Sequence, residues 1–180
     1  HKNYRALLLR KSFQDLTQPN ALIPLSKEWL TGLAEWNEQR HEWTFPSGAV
    51  LRFGFLERER DRDNYQGAAY HFIGVDELTQ HIEGNILYLF SRQRRRAGDP
   101  IPIRFRATAN PGGVGHAWVR DRYITNPTPT RLFIPAKLND NPYLDREEYI
   151  ESLAELDTVT RKQLLDGDWD VLPSGKKFKP

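Results

Sequence analysis

Tyr70-His71-Phe72-Ile73-Gly74-Val75 is a short apolar run that passes directly into Asp76-Glu77. An unbroken apolar run of this length is the pattern of a strand covered on both faces, as in a parallel sheet. Two further segments end the same way. Tyr4 to Leu9 runs into Arg10-Lys11-Ser12, and Ile101 to Ala107 runs into Thr108-Ala109-Asn110. Helical segments lie between and after them, and strands alternating with helices predict an α/β domain with a mostly parallel sheet flanked by helices. Ligands collect at the carboxyl ends of strands in such sheets, so the polar residues at these ends are the candidate chemistry.

The remaining elements follow from local signals. Glu42 to Phe45 and Ala49 to Phe55 flank the turn triplet Pro46-Ser47-Gly48 and predict a β-hairpin. Ser26 is placed as the cap of a helix reaching Arg40, with Trp29, Leu30, Leu33 and Trp36 on its core face. Ile82 to Gln93 reads as a helix, as do Ala117 to Tyr123, Asp145 to Leu156 and Thr158 to Leu165. Arg131 to Pro135 is expected to form a short fourth strand. The alternating charges of Glu57 to Asp63 read as a solvated loop that also stores Arg58, Arg60 and Arg62. Arg92, Arg94, Arg95 and Arg96 gather at a helix carboxyl end, where the helix dipole favours cations.

Composition narrows the function classes. At 180 residues the chain is about one domain long, and 38% hydrophobic residues with five tryptophans suffice for a core. The absence of cysteine excludes a disulfide framework, a thiolate zinc site and a cysteine nucleophile. No apolar run approaches the roughly 18–20 residues of a membrane span, and the first residues do not open a signal peptide, so a soluble intracellular protein is expected. The net charge of +2 argues nothing about nucleic acid, but its distribution is uneven: residues 137–180 hold 7 basic and 10 acidic residues, leaving 19 and 14 for residues 1–136. A chain without methionine that stops at Gly175-Lys176-Lys177-Phe178-Lys179-Pro180 is expected to be a fragment of something longer.

Adjacent carboxylates after an apolar strand have a definite use: one can hold a hydrated magnesium ion while the other orients or deprotonates a water. That is the logic of a Walker B motif. From the residues alone, a simple strand-end turn explains the pair equally well. The companion motif G-x-x-x-x-G-K-[ST] does not occur; the Gly-Lys pair at Gly175-Lys176 lacks both its flanking glycine and its hydroxyl residue. Gly112-Gly113-Val114-Gly115 reads first as a turn. His1, His41, His71, His81 and His116 show no metal-ligand spacing and read as packing or surface residues.

Val75-Asp76-Glu77-Leu78-Thr79, followed by Arg106-Ala107-Thr108-Ala109-Asn110-Pro111-Gly112-Gly113, resembles the ATPase region of the large terminase subunit of tailed bacteriophages and prophages. Further segments agree in order, among them Ala6 to Phe13, Phe45 to Ala49, Tyr65-Gln66-Gly67, Gly115 to Val119, Pro135 to Leu144 and Leu164 to Asp170. Together they cover nearly the whole chain. The resemblance implies a P-loop NTPase-like fold of the ASCE type and a motor that hydrolyses ATP with Mg2+ to drive double-stranded DNA into a procapsid. Its partners would be the portal protein, the small terminase subunit and copies of itself in a ring, with no membrane involved. It would work in the host cytoplasm, transiently at the procapsid portal. Asp76 would help hold Mg-ATP, Glu77 would be the catalytic carboxylate, and Thr108, Ala109 and Asn110 would form the coupling motif that senses the γ-phosphate. His116 follows the pattern and would support the coupling loop. Residues 1–140 would be a partial ATPase domain and 141–180 a helical segment leading to a nuclease domain.

Three departures bear on this. The phosphate-binding loop would lie a few tens of residues before Tyr4, on a strand in the interior of the family's sheet next to the one ending at Thr108, leaving an unpaired slot in the sheet and the isolated chain inactive. Many relatives carry an arginine, reaching a neighbouring subunit, where this chain has Gln66; Arg58, Arg60 or Arg62 would substitute. Asp166, Asp168 and Asp170 fall in the linker region and are not assigned as nuclease ligands. The DNA-contact candidates are Arg92, Arg94, Arg95 and Arg96. The opposing reading is a DNA-binding or assembly module that has lost nucleotide chemistry.

Overall fold

A computed structural model describes residues 1–171; the Gly175-Lys176 pair lies outside the described residues. The chain forms two compact units, His1–Ala109 and Asn110–Pro180.

The first unit is built on six strands: β1 (Arg5–Arg10), β2 (Glu35–Asn37), β3 (Glu42–Thr44), β4 (Val50–Phe55), β5 (Phe72–Val75) and β6 (Arg104–Ala107). They pair in the order β2-β3-β4-β1-β5-β6. β4, β1, β5 and β6 run parallel, and β2 and β3 complete the sheet as an antiparallel meander. β1 and β5 are apolar because both their faces are covered, whereas on β6 Arg104, Arg106 and Ala107 are exposed and Phe105 alone is half-buried. Leu7, Leu9, Ile73 and Val75 are all buried, with Leu9 level with Val75 across the β1–β5 pair. β6 is shorter than its apolar run because Pro100 and Pro102 have no N–H to give a ladder. It is the last strand in the order, on the side where the resemblance expects one more.

Ser12 caps the short helix α1 (Phe13–Thr17) by accepting from Asp15 N, while the Asp15 carboxylate accepts from Ser12 N. With α2 (Leu22–Leu30) it covers a second core cluster of Leu16, Ile23, Trp43 and Phe53. The helix expected from Ser26 to Arg40 is not found. α2 starts earlier and stops at Leu30, Thr31 turns extended, and Gly32 takes φ +85, where a side chain is strained. Trp36 then lies on β2 opposite Trp43, while Trp29 and Leu33 are exposed. Ser26 is mid-helix rather than a cap: its hydroxyl donates to Ile23 O and accepts from the Trp43 indole at 2.9 Å.

The charged run Glu57 to Asp63 winds into a 3-10 helix, Glu59–Tyr65, rather than an open loop. α3 (Glu83–Phe90) follows β5. In the second unit, α4 (His116–Val119) continues into a wide π-helical turn, Arg120–Thr125, and α5 (Arg146–Ser152) and α6 (Thr158–Asp166) take their caps from Asp145 and Asp157. The strand expected at Arg131 to Pro135 is absent. Leu132 and Ile134 are exposed, and the segment contributes only an isolated bridge between Thr128 and Arg131. An apolar run becomes a strand only where a neighbour completes its ladder. No helix among the described residues is long and apolar enough to cross a membrane.

Candidate functional site

Strand register assembles the site. Leu9 is level with Val75, so the next residues, Arg10 and Asp76, meet at the carboxyl edge of the sheet, and Asp76 N donates to Leu9 O at 2.9 Å. On the other side Val75 is level with Ala107, which brings Thr108 beside Asp76. Thr108 uses every polar group it has. Its N–H donates to Val75 O, its carbonyl accepts from Leu78 N, and its hydroxyl donates to Asp76 Oδ1 while accepting from Glu77 N at 3.1 Å.

Glu77 occupies the left-handed region at φ 56, ψ 57. A non-glycine residue there costs on the order of 1 kcal/mol and persists only where its surroundings hold it. Here Thr108 accepts the N–H groups of both Glu77 and Leu78. The turn leaves the Glu77 carboxylate 46% exposed beside the 30% exposed Asp76. Both acids share one cation: Arg10 Nε lies 3.0 Å from Asp76 Oδ2, and Arg10 Nη2 lies 3.0 Å from Glu77 Oε1. In the sequence Arg10 marks only a polar strand edge; its partner is fixed by strand order, which the sequence does not carry.

His81 is fully buried beside the backbone of Leu56 and Asp76, at the ends of β4 and β5. Burial, and secondarily the Lys11 charge, push its pKa down to about 4, so the ring is neutral at physiological pH.

The other candidates lie elsewhere. Arg62 pairs with Glu59, and its guanidinium lies 5.8 Å from the Tyr88 ring, which Arg92 approaches at 5.1 Å. The two arginine segments therefore meet around one tyrosine. Arg94 donates to Gly67 O and Ala68 O, and Arg95 to Ile101 O; Arg58, Arg60 and Arg96 are exposed. Ala109 closes the first unit and Asn110 opens the second. Among the described residues, no group of three or more His, Asp or Glu side chains could hold a metal ion. Asp76 and Thr108 present a carboxylate and a hydroxyl oxygen, the hard donors that suit magnesium when a phosphate supplies further oxygens.

Over residues 2–178 the chain matches the family described as terminase large subunit, T4likevirus-type, N-terminal. The chain belongs to this family. None of the curated proteins matches it significantly. Among solved structures it is similar to the large terminase of a thermophilic bacteriophage. One crystal form of that protein gives a TM-score of 0.72 at 18% identity, covering 94% of this chain and 41% of that one. Its complex with ADP gives 0.72 at 16% identity, covering 94% and 41%. The complex with ATP-γ-S gives 0.70 at 17%, covering 94% and 40%. At these identities the likeness is one of fold, and it bears out the α/β class with a mostly parallel sheet flanked by helices. The chain spans about two fifths of the length of the solved terminases it matches.

Proposed function

We propose that this chain carries the catalytic carboxylates of an ATP-hydrolysing motor that moves viral DNA into procapsids. The observation that carries the reading is the meeting of Asp76, Glu77 and Thr108 at the carboxyl edge of a parallel sheet, in a chain of the large-terminase family. That the thermophilic phage terminase is described with ADP and with ATP-γ-S supports nucleotide as the ligand.

Asp76 and Thr108 would hold Mg2+ bound with ATP, and the ion would neutralise charge on the phosphates. Glu77, which projects from the turn rather than from the ladder, would orient a water and take its proton. Arg10 would set the position of both acids. Thr108, bonded to Asp76 and to the backbone of the Glu77 turn, would register loss of the γ-phosphate and pass it to Ala109 and Asn110. This chain has no G-x-x-x-x-G-K-[ST] to cradle phosphates, so turnover would need that motif from elsewhere in the protein.

Residues 1–140 would serve as part of an ATPase domain and 141–180 as a helical lead to a nuclease domain. Double-stranded DNA, the portal protein, the small subunit and a ring of identical subunits would be the partners, in the host cytoplasm and at the procapsid portal. The arginines around Tyr88 would meet phosphate, DNA or a neighbouring subunit's nucleotide, with binding that weakens steeply with salt. The test is Glu77→Gln in a form of the protein that includes a phosphate-binding loop. It should keep ATP affinity and lose turnover by about 100-fold or more; near-normal turnover would remove Glu77 from the chemistry.

A further inference from the structure

One buried polar side chain bonds the glycine loop after Asn110 to the end of the described chain, and a second packs against that loop. His116 is 6% exposed; its Nδ1 accepts from Gly112 N at 2.8 Å. An imidazole nitrogen that accepts leaves the other to carry the hydrogen, so Nε2 donates to Trp169 O at 3.2 Å. Its ring packs at 5.4 Å on Trp169, which is itself buried. Gln163, 7% exposed, is the second arm. Its Nε2 donates to Val171 O at 2.9 Å, and its Oε1 stands 3.0 Å from where a Cβ on Gly112 would lie. Gly112 and Gly113 hold φ of 103 and 75, so the loop is shaped for glycine and closed against these two side chains. Arg120 pairs with Asp170 through Nε at 3.1 Å and through Nη2, fixing the far end of the link.

We infer that His116 is a positioning residue that makes the Gly112-Gly113 loop and the Asp168-to-Val171 segment move as one. This rests on the reading of Thr108, Ala109 and Asn110 as the coupling motif. The loop begins one residue after Asn110, so a shift at Thr108 travels along the backbone to Gly112. His116 and Gln163 then hand it to the segment carrying Trp169. Both nitrogens of His116 are engaged, so loss of either bond leaves a buried polar group unsatisfied. Glycines at 112 and 113 let the loop approach closely, and the histidine converts that closeness into a connection.

The test uses a form of the protein that includes a phosphate-binding loop, with ATP-γ-S as the probe and amide hydrogen exchange read at residues 110–115 and 164–171. Two variants dissect the link. His116→Asn keeps an acceptor where Nδ1 stands but is too short to reach Trp169 O; His116→Gln keeps a donor near Nε2 and gives up the loop bond. In the unsubstituted protein ATP-γ-S should change exchange in both segments. In His116→Asn the response at 110–115 should remain, the response at 164–171 should fall about fivefold, the scale of one lost hydrogen bond, and nucleotide affinity should hold. In His116→Gln the Gly112 amide should lose protection and both responses should become independent.

A response at 164–171 that persists in His116→Asn overturns the link. A response at 110–115 that is missing in the unsubstituted protein overturns the coupling-motif reading, and the link with it. Should a variant fail to fold, the unsubstituted protein still decides: the Gly112 and Asp170 amides should open with one shared dependence on urea, and separate dependences contradict a common unit.

Discussion

Arg10 Nη2 lies 3.0 Å from Glu77 Oε1 while Nε of the same guanidinium holds Asp76 at the same distance, so one cation balances two adjacent carboxylates. The arrangement depends on the planar fork of arginine, since an ammonium is a point charge that cannot address two acids in fixed directions. It also sets a competition. A divalent ion at these oxygens must share them with Arg10.

Arg10→Ala should therefore trade a built-in cation for dependence on an added one. Without added metal, stability should drop by about 1 kcal/mol, the modest scale of a part-exposed pair. Millimolar MgCl2 should restore much of that loss while leaving the unsubstituted chain nearly unchanged. Urea melts in EDTA and in MgCl2 measure both numbers, and equal magnesium effects on the two proteins would refute the competition. Arg10→Lys should resemble the alanine variant more than the original.

His81 predicts a pH dependence. Its pKa is pushed from 6.5 to about 4 in the fold, so between these values the unfolded chain binds a proton that the folded chain refuses. Stability is complete above about pH 6.5, falls as the pH drops towards 4 and levels off below, a loss of roughly 3 kcal/mol. Other groups titrate in the same window, so the difference between the chain and His81→Gln isolates this one. The variant should lose less stability between about pH 7 and pH 4.5. Identical losses would mean that His81 can protonate without opening the fold.

Gly54 sets how closely the 3-10 segment packs on β4. A Cβ there would collide with the Tyr65 hydroxyl and come within 3.2 Å of Leu9, and that hydroxyl donates to Phe55 O. Both tyrosine and leucine are buried, leaving little room to yield. Gly54→Ala should cost about 1–3 kcal/mol in urea unfolding, and less when combined with Tyr65→Phe, which removes the clashing oxygen. Additive costs would show that the clash is relieved elsewhere.

Much of this was legible in the sequence, for reasons that can be named. Asp76, Glu77 and Thr108 stand out as strand-end candidates because apolar runs mark parallel strands and the polar residues at their ends are conspicuous. The hairpin around Pro46-Ser47-Gly48 carried its own turn chemistry. Arg10 escaped, since what it faces depends on β1 lying between β4 and β5, a property of sheet order and of no local pattern. The spacing of Trp29, Leu33 and Trp36 matched a helix, yet Gly32 breaks that helix and Trp36 pairs with Trp43 across a ladder. His81 gave no signal, since a lone histidine looks the same whether exposed or buried; His116 stood out only through the family pattern, and what its two nitrogens meet depends on the fold.

The central claim is that Asp76, Glu77 and Thr108 belong to a DNA-driven ATPase site. The most direct measurement is DNA-stimulated hydrolysis of Mg-ATP by a form of the protein that includes a phosphate-binding loop, run beside this 180-residue chain. The account predicts turnover that rises with DNA in the longer form and none in the chain alone. A well-folded longer form that binds ATP and never hydrolyses it, with or without DNA, would contradict it.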